Sequence, residues 1–192
     1  MINQSMAALG NNRSTIRELF EYGNSRAAVV GRENVFDFSI GNPNGPAPDA
    51  VRRAILEETA GDPVALHGYT SAQGAADVRR TLADDLNRRF GTAFHQNNII
   101  MTVGAASGLN VILKTILNPG DEVIAFAPYF VEYGNYVRNY DGNLVVISPN
   151  TKDFQPNLDE FARKITPKTK AVIINTPNNP TGVVYSAKTL TD

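Results

Sequence analysis

Apolar and polar positions along the chain follow two regimes that change near Gly74. Before it, the pattern is helical in pieces and broken by loops. "STIRELFEYGNSRAAVVG" places Thr15 three residues ahead of Glu18, the spacing of a capping box, which predicts a helix starting there. "FDFSIGNPNGPAPDAV" passes from a short strand-like run into a loop dense in Gly, Pro and Asn. A further helix is predicted from Pro48 to Ala60, with proline at an allowed early position and Asp49 favouring the N-terminus. "GDPVALHGYTSAQG" (61–74) carries neither the helical nor the strand period.

After Gly74 the periodicity strengthens. Val78, Leu82, Leu86 and Phe90 recur every fourth position, which puts them on one face of a helix. Then short continuous apolar runs alternate with helical stretches. "IIMTV" (99–103), "EVIAFAP" (122–128), "LVVIS" (144–148) and "AVIIN" (171–175) read as buried strands. "SGLNVILKTIL" (107–117), "VEYGNYVRNY" (131–140) and "LDEFARKI" (158–165) read as the helices between them. This alternation predicts an α/β fold of three layers, with a mainly parallel sheet covered on both faces.

Composition narrows the function more than the fold. The 192 residues suggest one large domain or one and a fraction. Eighteen basic residues stand against nineteen acidic ones, and no basic block stands out, so neither nucleic acid nor a membrane is an expected partner. There is no cysteine, and the histidines are His67 and His95, which excludes disulfides, thiol catalysis and most zinc sites built within one chain. The absence of cysteine suits a reducing cytoplasm. No apolar run approaches the roughly 20 residues of a membrane span, and the start lacks the apolar stretch of a signal peptide.

Ligands of open α/β sheets gather at the carboxyl ends of strands. Three stretches are placed to meet one there. In "VGAASGL" (103–109) small residues lead from a strand into a helix, whose free N–H groups can bind a phosphate. By itself that turn also reads as ordinary βα packing. In "APYFVEY" (127–133) Tyr129, Phe130 and Tyr133 offer rings for stacking, or simply pack the helix on the sheet. The third stretch holds Asn178, Asn179, Pro180, Thr181 and Gly182, a turn stiffened by proline and released by glycine, where a side-chain amide can donate to an anionic oxygen.

Taken together, "SIGNP" (39–43), "GYTSAQG" (68–74), "MTVGAASGL" (101–109), "NPGDEVIAFAPYF" (118–130) and "NTPNNPTGVVYS" (175–186) resemble, in order and spacing, the N-terminal half of a class I/II aminotransferase, a pyridoxal 5'-phosphate enzyme of fold type I. The resemblance covers most of the chain. It implies a PLP-dependent transferase-like fold, with residues 1–45 forming an arm and part of a small domain and residues 46–192 the N-terminal part of the large cofactor-binding domain. It implies that Gly41 offers backbone to the substrate carboxylate and that Tyr69 reaches the partner's cofactor phosphate across a homodimer. The backbone around Gly104, Ala105 and Ala106 would hold the phosphate within the subunit. Phe130 would stack on the pyridine ring, and Asn179 would hydrogen-bond its 3' oxygen. Several relatives carry a side-chain donor in the loop after Gly104, where "AAS" offers only Ser107.

In that family the lysine that anchors the cofactor lies beyond the NPTG turn. So do the arginine supporting the phosphate, the aspartate on the ring nitrogen and the arginine clamping the substrate carboxylate. No matching motif precedes Asp192, and Lys114, Lys152, Lys164, Lys168, Lys170 and Lys188 read as surface lysines. The expectation is therefore an N-terminal portion of a cytoplasmic aminotransferase acting on an amino acid and a 2-oxo acid, with no catalytic residue of its own and inactive by itself. Residues 99–103 would lie apart from the strand ending at Asn175, leaving unpaired edges and an open apolar groove. Alternatives are a carbon–sulfur lyase-like fragment of the same cofactor class, and a non-catalytic phosphate-binding or oligomerisation module. A dinucleotide-binding domain is disfavoured, since "GAASGL" is not G-x-G-x-x-G and no acidic residue caps the next strand.

Overall fold

The computed structural model describes residues 2–11, 15–39, 41 and 45–192. The chain forms two compact units, Met1–Tyr69 and Thr70–Asp192.

The first unit is helical among its described residues. It contains α1 (Gln4–Asn11), α2 (Thr15–Val30), α3 (Asp49–Thr59) and α4 (Pro63–Leu66). The helix expected at Thr15 and the one following Pro48 are both present. Helix α4 lies in the stretch read as irregular. Its start is set by Asp62, whose carboxylate accepts from the Val64 N–H at 2.9 Å, with Pro63 in the first turn. The run at 36–39 forms no ladder, and Phe36 and Phe38 are exposed. Ile40, Asn42, Pro43 and Asn44 lie outside the described residues.

The second unit carries α5 (Ala76–Phe90), α6 (Gly104–Ile116), β1 (Glu122–Phe126), α7 (Glu132–Arg138), β2 (Asn143–Ile147), α8 (Leu158–Lys164), β3 (Thr169–Ile173) and α9 (Ala187–Thr191). Three parallel strands pair in the order β2-β1-β3, with Ala125 opposite Val146 on one side and Ile173 on the other. Strand β1 is central and buried on both faces, so its alternate residues feed two cores. Val123 packs with Leu113 of α6 and Val137 of α7, whereas Ile124 and Phe126 pack with Ile147 and with Phe161 of α8. The result is the three-layer α/β/α arrangement that the alternating pattern predicts.

Two expectations are corrected. Residues 99–103 are not a strand: Ile99 has extended torsions, yet no ladder partner exists among the described residues, and Ile100 and Val103 are exposed. Extended backbone becomes sheet only when a neighbour accepts its hydrogen bonds. The second concerns α5, whose buried positions are Arg79 and Ala83 rather than the apolar series. Val78, Leu82 and Phe90 are exposed, and only Leu86 is half-buried. An apolar groove lies on the α8 side of β3, with no residue of 99–103 in its lining, so it is not the gap expected between that run and Asn175. It measures about 440 Å³ beside β3 and is lined in part by Phe126, Phe161, Val172, Ile174, Tyr185 and Leu190. Among the described residues no helix is long and apolar enough to cross a membrane.

Helix α8 is fastened to the end of β2 by Glu160. Its carboxylate accepts from the Ser148 N–H and hydroxyl, each at 3.1 Å, and pairs with Lys164 at 2.7 Å. The Lys164 hydrogen bond, with smaller help from Ser148, holds the Glu160 carboxyl below its usual range, against a partial burial that pulls it up. A depressed folded-state value stabilises the fold above the unfolded value and is lost as pH falls through the folded one. Glu160→Gln is therefore expected to be less stable than wild type at neutral pH, with the gap closing below about pH 4 as the wild-type carboxylate is protonated; urea titrations across pH read this directly. Ile147→Ala removes a fully buried side chain and is expected to cost about 2–5 kcal/mol in the same assay.

Candidate functional site

Strand β1 ends at Phe126 because the next turn contains Pro128, which cannot donate to a ladder. The chain then leaves the sheet, and Phe130 emerges 36% exposed beside the buried Tyr133. The two rings meet edge-on at 5.7 Å, and Tyr129 stacks on Tyr133 at 6.3 Å. Tyr133 thus forms the floor on which Tyr129 and Phe130 are set. Burial, mainly, pushes the Tyr133 phenol up, so it stays neutral at physiological pH.

Strand β3 runs parallel to β1 and delivers the second element to the same carboxyl edge. Here two adjacent asparagines have opposite fates. Asn178 is 7% exposed. Its Oδ1 accepts from the Thr181 hydroxyl at 2.9 Å and from the Thr181 N–H at 3.3 Å, and its Nδ2 donates to the Tyr185 hydroxyl at 3.5 Å. Its backbone is locked as well: Asn178 N–H donates to Val183 O at 2.8 Å, and Gly182 N–H donates to Asn178 O at 2.7 Å. Gly182 closes the turn at φ 74°, the left-handed region where glycine carries no Cβ penalty. Asn179 is exposed. Its N–H donates to the Asn175 side chain at 2.8 Å, while its own amide makes no hydrogen bond among the described residues.

Tyr185 ties this turn to the sheet. It is 6% exposed, meets Phe126 edge-on at 6.5 Å, and its N–H donates to the Thr176 hydroxyl at 2.9 Å. Its phenol is likewise pushed up by burial, against a smaller opposite pull from Asn178. Nothing in the local pattern singles out Tyr185; its role shows only when β1 and β3 are adjacent.

The third element is the start of α6. Leu113 and Leu117, near the end of that helix, pack with Val123, and the turn after it ties to the amino edge of the sheet through Gly120 N–H to Asp141 O at 2.8 Å. Helix α6 therefore runs antiparallel to β1. Its 13 residues span about 20 Å, which returns Gly104 to the carboxyl edge. Gly104 has φ 75°, and no side chain caps the helix. The N–H groups at Ala105 and Ala106 begin the helix beside exposed small side chains, as an anion-binding helix start requires.

The described geometry thus brings the backbone at 104–106, Phe130 and Asn179 to one sheet edge. Gly41 and Tyr69 belong to the other unit. Gly41 is exposed, and among the described residues no atom beyond its chain neighbours lies within 4 Å of where a Cβ would stand on it. Just before it, Asp37 Oδ1 accepts from the Ser39 hydroxyl at 2.6 Å and N–H at 2.9 Å. Tyr69 is fully exposed.

The profile of the family "Aminotransferase class I and II" matches residues 33–192. The chain belongs to this family. It is 34% identical over 170 residues to the aspartate/prephenate aminotransferase of Thermus thermophilus, an alignment covering 87% of this chain and 43% of that one. Its fold superimposes on the crystal structure of an amino transferase from Eubacterium rectale with a TM-score of 0.95 at 48% identity, covering 99% of this chain and 48% of that one. The aspartate aminotransferase of Thermotoga maritima follows the same course, with a TM-score of 0.85, 30% identity, and coverage of 98% and 49%. The chain spans about half the length of the relatives it matches. The fold is that of the N-terminal half of a class I aminotransferase.

Removing the Asn178 amide leaves the Thr181 donors without their buried acceptor. Asn178→Ala is expected to destabilise the second unit by about 1–3 kcal/mol and to expose the amides of residues 181–185, read by chemical denaturation and hydrogen exchange.

Proposed function

We propose that this chain is the N-terminal portion of a pyridoxal 5'-phosphate-dependent aminotransferase, exchanging an amino group between an amino acid and a 2-oxo acid. The observation that carries the reading is the meeting, at one sheet edge, of an uncapped helix start, an accessible aromatic ring and an unengaged amide. A flat, phosphate-bearing aromatic needs those three complements.

The backbone N–H groups of Ala105 and Ala106, after the left-handed Gly104, would hold the phosphate. Phe130, backed by Tyr133, would stack on the ring and exclude water from one side. Asn179, oriented by the buried turn around Asn178, would donate to the ring oxygen. When bound, the cofactor supplies an electron sink for the substrate's α-carbon. In the first unit, Gly41 would present backbone to the substrate carboxylate. Fully exposed Tyr69 would reach the phosphate held by the partner of a homodimer. Residues 1–45 would contribute to a small domain and 46–192 to the large one, in a cytoplasmic enzyme.

Three of the six lysines make side-chain contacts among the described residues. Lys164 pairs with Glu160 and donates to Val146 O at 2.7 Å. Lys114 lies over the Tyr140 ring at 5.5 Å, and Lys188 pairs with Asp192. The covalent anchor is accordingly assigned to residues beyond these, and the segment by itself would not turn over substrate.

In the complete enzyme, borohydride reduction with the cofactor followed by peptide mapping is expected to leave no stoichiometric adduct on these lysines. A single stoichiometric adduct on one of them would refute the assignment. Phe130→Ala is expected to weaken cofactor binding by about tenfold, a stacking loss near 1.4 kcal/mol, while transamination continues at saturating cofactor. Release of free ammonia instead of a new amino acid would identify a lyase.

A further inference from the structure

We propose that Arg79 is a positioning residue for the phosphate-binding loop at 104–107, a role that rests on the cofactor reading above. Arg79 lies on α5 and is 5% exposed. Among the described residues no carboxylate pairs with its guanidinium. Burying a cation without a counter-ion costs several kcal/mol unless hydrogen bonds compensate, so the geometry of its partners defines its purpose.

Those partners are two backbone carbonyls from separate loops. Nε donates to Gly74 O at 3.1 Å and Nη1 to Gln96 O at 2.8 Å. Gly74 closes a turn, its N–H donating to Ser71 O at 2.8 Å, while the Ser71 hydroxyl donates to Gly74 O at 2.6 Å. Gln96 opens the short 3-10 turn Gln96–Asn98, from which the chain passes through extended Ile99 to a bend at Val103 and on to Gly104. The guanidinium therefore clips the base of the segment leading to the phosphate loop onto a second loop.

That segment has few other holds. Residues 99–103 form no ladder, and Ile100 and Val103 are exposed. Beyond its own local turns it is tied to the rest of the unit by Met101 N–H to Gln73 O at 3.0 Å and the exposed Arg80 Nε to Gln96 Oε1 at 3.3 Å. Just before the segment, Asn87 of α5 holds Phe94 by its N–H at 2.7 Å and its carbonyl at 2.8 Å. Met101 also covers Gly74 so closely that a Cβ there would lie 2.4 Å from its Cγ. Gly74, with φ 96°, is thus required twice, by torsion and by contact. A rigid planar fork suits this role because its donors reach both carbonyls at once; a lysine ammonium on a flexible stem cannot hold the same spacing.

The test uses the complete enzyme and compares binding of pyridoxal 5'-phosphate with that of pyridoxal, which lacks the phosphate. Arg79→Gln is expected to lower the preference for the phosphorylated ligand by about tenfold, and Arg79→Lys by less, with pyridoxal affinity unchanged in both. An unchanged preference in the folded variants overturns the proposal. An equal loss for both ligands also overturns it, because that marks general loosening. If Arg79→Gln does not fold, Arg79→Lys alone decides by the same criterion. A wild-type enzyme that does not distinguish the two ligands overturns the phosphate-loop reading, and this proposal with it.

Discussion

Everything in the second unit is referred to β1. Val123, Ile124 and Ala125 are almost wholly removed from water, and both edges of the strand are paired. Burying each large aliphatic side chain contributes about 1.5–3 kcal/mol, but the alternation matters more than the sum. Odd positions bind α6 and α7 while even positions bind α8. A one-residue slip would exchange the two cores and fill neither. The strand that is best buried therefore also fixes which loops share an edge.

From that edge the structure separates support from contact. Asn178 and Tyr185 are buried and hydrogen-bonded to each other, and Tyr133 is buried against neighbouring rings; Asn179, Phe130 and the residues at 104–106 are accessible. Each accessible group rests on a buried one: Phe130 on Tyr133, the Asn179 backbone on the turn that Asn178 organises, and that turn on Tyr185 against Phe126. A site that must hold a rigid aromatic ligand gains from such backing, because ordering the contact groups in advance removes that entropic cost from binding. The turn at 104–107 differs. It is held less by packing than by the fork of Arg79 and the close approach of Met101 to Gly74.

The same contrast explains the apolar surface. Ile100, Val103, Ile174 and Leu190 are exposed, and so are Val78, Leu82 and Phe90 on α5. They are apolar residues left at the surface of a chain that spans about half the length of its relatives. Periodicity records which face a residue is suited to bury. It does not record whether the covering element is among the residues in hand.

The order of elements, the parallel sheet and the three loops at its carboxyl edge were legible in the sequence. They follow from local periods, proline and glycine stops, and the rule that ligands meet α/β sheets at strand ends. The motifs also offered Asn179 and Phe130 as candidates. Tertiary structure alone decided the rest. It decided that 99–103 pairs with no strand among the described residues, since pairing is a property of two strands. It decided that α5 buries Arg79 instead of its apolar stripe, since burial depends on what lies opposite. It also separated Asn178 from Asn179, because only the fold of the turn tells which of two identical amides faces inward to Thr181 and Tyr185 and which stays exposed.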